Sequence, residues 1–206
     1  MFLSEVGHIY LFQILQSLHS HSTTMQSYNQ INFNDIAPDE LINYIVNKHH
    51  GFTKNMLSLT LQHSKTLSNQ GEKEASYISK ALILLNETIK QHFKDEEEIL
   101  YPYAKKLLEW KRTGNNTMVP SVNIIGNPIN RFIEEHVYII DLFNEIRTIT
   151  NNYTVASNNK SQLKLLHAEL FELEQDLQKQ IYIENNILFT KLMELQKEMI
   201  LAKPTN

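Results

Sequence analysis

Apolar residues return every three or four positions through four long stretches of this chain, the spacing of a helix with one buried face. The first stretch opens at Pro38-Asp-Glu-Leu41, where proline and acidic residues suit a first helical turn, and runs to about Leu67. Its stripe holds Val46, His50, Leu57 and Leu61 and leaves His49 and His63 off that face. After a turn at Asn69-Gln-Gly71, the second spans Glu72 to Glu98 with Leu85, Ile89, His92, Glu96 and Ile99 aligned. Pro102 kinks or restarts it, and Tyr103 to Lys111 continues the period. A loop from Thr113 to Asn127 ends in Asn127-Pro128, a cap followed by a first-turn proline. The third helix carries Ile129, Phe132, Ile133, His136, Ile139, Ile140 and Phe143 on one side. Asn151-Asn152 through Asn158-Asn159 break the chain again. The fourth aligns Leu166, Leu170, Leu173, Leu177, Gln180, Ile183, Glu184, Ile187 and Leu188, with His167 too far along to reach the Gln180 level.

Ahead of these helices, residues 1–16 are apolar but interrupted by Glu5, His8 and Gln13 and lack a positive start. An amphipathic helix is therefore expected there rather than a signal peptide. His8, His19 and His21 have no companions at metal-ligand spacing and read as exposed or capping residues. Residues 22–37 are polar and aperiodic, as in a linker. The domain plan is an N-terminal helical segment and linker over residues 1–34, then a four-helix bundle over residues 35–206.

Each bundle helix places a polar side chain inside its apolar stripe: His50, then His92 with Glu96, then His136, then Gln180 with Glu184. Residues four apart on a helix lie about 6 Å along the axis on one face, so His92 and Glu96 can reach one ion. The second half of the chain repeats that stretch. His92-Phe-Lys-Asp-Glu96-Glu-Glu-Ile-Leu-Tyr101 is matched by Gln180-Ile-Tyr-Ile-Glu184-Asn-Asn-Ile-Leu-Phe189. Carboxylates are almost never buried without a partner. Either a hydrogen-bonded network of histidines and carboxylates satisfies these groups, or they hold a metal between facing helices. Imidazole and carboxylate without sulfur suit iron, manganese or zinc.

Composition narrows the classes. Five glycines and five prolines in 206 residues are too few breakers for many short strands, and the fold class expected is all-α. A net charge of −4 with acids and bases interspersed gives no basic stripe, so neither nucleic acid nor a membrane surface is expected as a partner. The absence of cysteine excludes disulfides and thiolate metal sites and is compatible with the cytoplasm.

The motifs that carry the buried polar groups resemble one family. Leu41-Ile-Asn-Tyr-Ile-Val-Asn-Lys-His-His50, His92-x-x-x-Glu96-Glu-x-Ile-Leu-Tyr-Pro102, Glu134-Glu-His136 and Glu184-Asn-Asn-Ile-Leu-Phe189 are similar to the hemerythrin-like domain of the RIC proteins, which repair iron–sulfur clusters. The likeness covers about residues 35 to 195. It implies a hemerythrin-like up-down four-helix bundle holding two non-haem irons, with His50, His92 and His136 as terminal ligands and Glu96 and Glu184 as bridges. It also shows what this chain lacks. The family has histidine where Gln180 stands and another near Gln70-Gly71, and often a cysteine pair in an N-terminal domain, where residues 1–34 have none. Glutamine offers a neutral, weaker oxygen, so the resemblance implies a partly depleted di-iron site, with Gln180 as a weak sixth ligand.

The function expected from this is a cytoplasmic iron protein of the nitrosative and oxidative stress response, binding O2 or NO at the iron and acting on iron–sulfur proteins. Catalysis is left open. The alternative is a non-catalytic helical bundle that senses a ligand or binds a protein partner, with one metal or none.

Overall fold

The computed structural model describes residues 31–115, 128–155 and 160–202. The expected N-terminal helical segment, with His8, His19 and His21, lies outside the described residues. Within the compact unit Phe33–Asn206, four long helices carry nearly all of the described chain. They are α1 (residues 38–69), α2 (residues 73–113), α3 (Pro128–Ile149) and α4 (residues 161–201). A short 3-10 turn, Phe33–Asp35, precedes them.

The helix ends follow the local chemistry. Ala37 is extended, Pro38 takes the first helical position, and Asp39 and Glu40 meet the positive end of the dipole. Between α1 and α2 the chain reverses in three residues, and Gly71 sits at φ 92° while Glu72 N–H donates to the Leu67 carbonyl at 3.0 Å. A left-handed residue at that position is the usual helix stop, and glycine takes it without a Cβ clash. After α3, Asn151, Asn152 and Tyr153 all have positive φ, between 46° and 61°. Asparagine tolerates this region and tyrosine resists it. Tyr153 is held there by its hydroxyl, which donates to the buried Glu174 at 2.5 Å, and by Arg147, which lies 5.6 Å above its ring and pairs with Glu174 at 2.7 Å.

The three-residue turn at Gly71 makes antiparallel neighbours of α1 and α2. α1 also packs against α4, α2 against α3, and α3 against α4, which closes the bundle. The core falls into two apolar clusters. One, toward the Gly71 turn, includes Leu57, Leu82, Leu85, Ile89, Phe143, Leu170 and Leu173. The other, toward the opposite end, includes Leu41, Ile45, Leu100, Phe132, Leu188 and Phe189. Burial of each such side chain stabilises by roughly 1.5–3 kcal/mol. His50, His92, Glu96, His136, Gln180 and Glu184 lie at the level where the two clusters meet.

At that level three helices widen into π turns: Ile45–His50 in α1, Glu96–Leu100 in α2 and Glu184–Leu188 in α4. A π turn adds one residue to the register, and such turns concentrate at functional sites. This corrects two expectations from regular periodicity. Ile99, expected on the inner face, is 41 % exposed, and Leu100 takes its place with no exposure. In α1, Ile45 is buried where Val46 was expected, and His49 is drawn inside as well. The same loosening absorbs Pro102: α2 resumes at Tyr101–Thr113 after the π turn, with the proline in its first turn.

Candidate metal centre

His92 and Glu96 come from α2, His136 from α3 and Glu184 from α4, and one ligand atom of each lies within 4.8 Å of all the others. His50 of α1 joins them through Glu96, its Nε2 3.2 Å from Oε2. The other Glu96 oxygen, Oε1, is 3.3 Å from His92 Nε2 and 3.9 Å from His136 Nε2. Glu184 Oε2 is 3.2 Å from His136 Nε2, and the Nε2 atoms of His92 and His136 are 3.0 Å apart. All five expected residues thus converge at one depth, fully buried. Gln180 is there too, but its amide donates to Glu184 Oε1 at 3.3 Å.

The outward edge of each imidazole is held. His50 Nδ1 meets Glu97 at 2.8 Å, His92 Nδ1 meets Glu135 at 2.8 Å, and His136 Nδ1 meets the Asn185 side-chain oxygen at 2.8 Å. A partner on Nδ1 fixes the ring and leaves Nε2 inward, the arrangement of metal-ligating histidines. Rings pack behind them: Phe93 stacks on His50 at 3.8 Å and Phe189 on His136 at 5.8 Å. At the centre, His50 Nε2, both Glu96 oxygens and Glu184 Oε2 are buried without a hydrogen bond of proper geometry. Such atoms are rare and costly. The short distances above therefore mark convergence on a common point rather than a completed network, and the donor set of imidazoles and carboxylates fits a hard or borderline divalent cation.

The electrostatics agree. Burial alone pushes the His92 imidazole down, but Glu96 and the hydrogen-bonded Glu135 outweigh it and raise its pKa from 6.5 to about 10. Burial pushes Glu96 up, and the three histidines overcome it and hold the carboxyl well below its usual range. His136 is likewise raised, because Glu184 and Glu96 outweigh burial. The core carries paired opposite charges that a cation would replace proton for proton.

The other described histidines have other duties. His49 meets both oxygens of Asp176 at 3.0 Å, His63 meets Glu169 at 3.0 Å, and His167 meets Glu74 at 2.7 Å, each clamping α4 to a neighbour. Periodicity did not single out Tyr101, Glu97, Glu135 or Asn185. Three of these adjoin the residues it did find: Glu97 and Asn185 follow the two core glutamates, and Glu135 precedes His136.

Residues 41–192 match the family model of the hemerythrin HHE cation binding domain. The chain belongs to the hemerythrin HHE family. Among curated proteins similar to this HHE chain are the iron-sulfur cluster repair proteins YtfE of Escherichia coli O81 (strain ED1a), 29 % identical over 157 residues, and of Escherichia coli O1:K1, 28 % identical. The YtfE of Escherichia fergusonii is also 28 % identical. These matches cover 75 % of this chain and 66 % of each relative, so the chain spans just under two thirds of their length. The HHE match begins at Leu41 and ends at Leu192, within the second apolar cluster, and contains all six residues expected at the site.

Proposed function

We propose that this chain is a non-haem iron protein of the iron–sulfur cluster repair type, with a di-iron site that is partly depleted. The observation that carries the reading is the group of buried, unpartnered ligand atoms on His50, Glu96 and Glu184 beside His92 and His136. His92 Nε2, His136 Nε2, Glu96 Oε1 and Glu184 Oε2 form one nearly complete donor set. A second set has His50 Nε2 and Glu96 Oε2, with only Gln180 where the family supplies an imidazole. The mixed nitrogen and oxygen donors also accept manganese or zinc, and the family favours iron. Iron held by these residues would supply redox chemistry and affinity for O2 or NO.

The chain's own residues shape that chemistry. Glu97, Glu135 and Asn185 aim the imidazoles, and Phe93, Phe132 and Phe189 keep the surroundings apolar. An open groove lined by Thr88, Gln91, Arg131, Glu134, Glu135 and Tyr138 leads from solvent to the outer edge of His92. No described helix is long and apolar enough to cross a membrane. A cytoplasmic setting and iron–sulfur proteins as partners complete the proposal. The test is protein purified without oxygen from iron-replete cells. At least one iron per chain and a new visible absorption on adding NO to the Fe(II) form are expected. Protein free of iron that also fails to bind added Fe(II) would favour the bundle that only senses or docks.

A further inference from the structure

The internal repeat makes α1–α2 and α3–α4 counterparts, and the site follows it closely. His50 answers to His136, each with Nε2 3.2 Å from the Oε2 of the glutamate on the next helix, Glu96 or Glu184. His92 answers to Gln180, each 3.3 Å from the Oε1 of the glutamate four residues on. Glu97 answers to Asn185, each holding the Nδ1 of its histidine at 2.8 Å. The repeat pairs Tyr101 with Phe189, and here the halves differ by one hydroxyl. Tyr101 is buried, and its hydroxyl donates to Glu184 Oε1 at 2.9 Å. Phe189 has nothing to donate, and neither oxygen of Glu96 has a hydrogen bond of proper geometry, although the Tyr101 hydroxyl also lies close enough to Glu96 to feel its charge.

We propose that Tyr101 is a positioning residue that sets the number of ions in this centre by confining Glu184 to ligation through one oxygen. Together with the Gln180 amide it occupies Oε1, the oxygen that would serve the second position beside His50. Only Oε2, facing His136, is left for a cation. Glu184 is then a terminal ligand and not a bridge, and the centre takes one divalent cation tightly, at the position of His92, His136, Glu96 and Glu184. The second position keeps His50 Nε2 and Glu96 Oε2 and fills weakly. Loss of imidazole at Gln180 and gain of a hydroxyl at Tyr101 act on the same oxygen, which a change at position 180 alone would not undo.

This rests on the metal-binding reading above, and Mn(II) titration separates the two. Binding is followed by equilibrium dialysis and electron paramagnetic resonance on wild type, Tyr101→Phe and Tyr101→Phe/Gln180→His. Wild type should bind one Mn(II) tightly with the hyperfine pattern of an isolated ion. In Tyr101→Phe the second equivalent should bind about tenfold or more tighter, the effect of freeing a carboxylate oxygen from one hydrogen bond. The double variant should hold two ions with an exchange-coupled spectrum. Two coupled ions in wild type, or an unchanged second equivalent in Tyr101→Phe, would overturn the proposal and leave metal binding intact, whereas no Mn(II) or Fe(II) bound at all would overturn both. Should Tyr101→Phe lose its helical circular dichroism, the infrared difference spectrum of wild type on adding Zn(II) decides. At one equivalent of Zn(II), carboxylate stretches of one-oxygen ligation alone are expected, and bridging bands at that loading contradict the proposal.

Discussion

Fe(II) should raise the melting temperature of this protein by about 10 °C at neutral pH, and the gain should grow with pH. An ion present at a thousand times its Kd stabilises the folded state by ~4 kcal/mol. For a domain of this size each kcal/mol moves Tm by about 2–4 °C. The pH dependence follows from the protons the ion displaces. His92 is raised from 6.5 to about 10 in the folded, metal-free protein, so its contribution to stability is complete below pH 6.5 and disappears as pH rises to about 10. The metal-free Tm should therefore fall across that window. The metal-bound form has already given up this proton and does not share the loss. Glu96 acts at the other end: its carboxyl is depressed, so its contribution is present above pH 4.5 and lost as pH falls well below it. Acid protonates the ligands and the metal-induced gain shrinks. Differential scanning calorimetry from pH 5 to 9 under argon measures both curves, and a gain that is absent or flat in pH would point to a hydrogen-bonded core that needs no ion.

Much of this was legible because the site sits on helices with strong periodicity. Polar residues interrupting four apolar stripes located His50, His92, Glu96, His136, Gln180 and Glu184, and the buried ligand atoms left without a hydrogen bond on His50, Glu96 and Glu184 are the physical counterpart of that interruption. What the pattern missed lies where the period changes. Each of three π turns shifts the face by one residue, so a regular period sets Ile99 inward in place of Leu100 and His49 outside, though His49 is buried against Asp176. A 3.6-residue template has no means of registering one extra residue. The holders of Nδ1 were also invisible, since Glu97 and Glu135 are charged, partly exposed and indistinguishable by type from solvated helix residues. By residue type Tyr101 is indistinguishable from an apolar aromatic in that run, and only the position of its hydroxyl against Glu184 gives it a further role.

Glu96→Gln should have the largest effect of any single substitution in the bundle. Glu96 has no exposed surface and, among the described residues, is the one anion paired with His50, His92 and His136 together. An amide of the same shape removes the charge that pairs with His92 and leaves three imidazoles facing one another. Breaking a buried charge pair from one side costs roughly 3 kcal/mol in the metal-free protein. In the proposed centre Glu96 supplies oxygen to both positions, so affinity for Fe(II) should fall by well over the 10–100-fold typical of residues that only orient a ligand. Glu97→Gln is the fitting control. It weakens the hold on His50 Nδ1 at a partly exposed position, and its effect should stay within that range. Competition against a chromophoric chelator gives both affinities, and urea midpoints give the stability. If Glu96→Gln binds Fe(II) as wild type does, the ion is not where these residues meet.

The most direct measurement is an anomalous difference map at the iron edge from crystals grown with Fe(II). Its strongest peak is expected in the bundle core, at about 2.0–2.2 Å from His92 Nε2, His136 Nε2, one oxygen of Glu96 and Glu184 Oε2, distances ordinary for nitrogen and oxygen ligands. Any peak beside His50 should be weaker. A map with no peak among these residues, or with iron only at the bundle surface, would contradict the proposed centre.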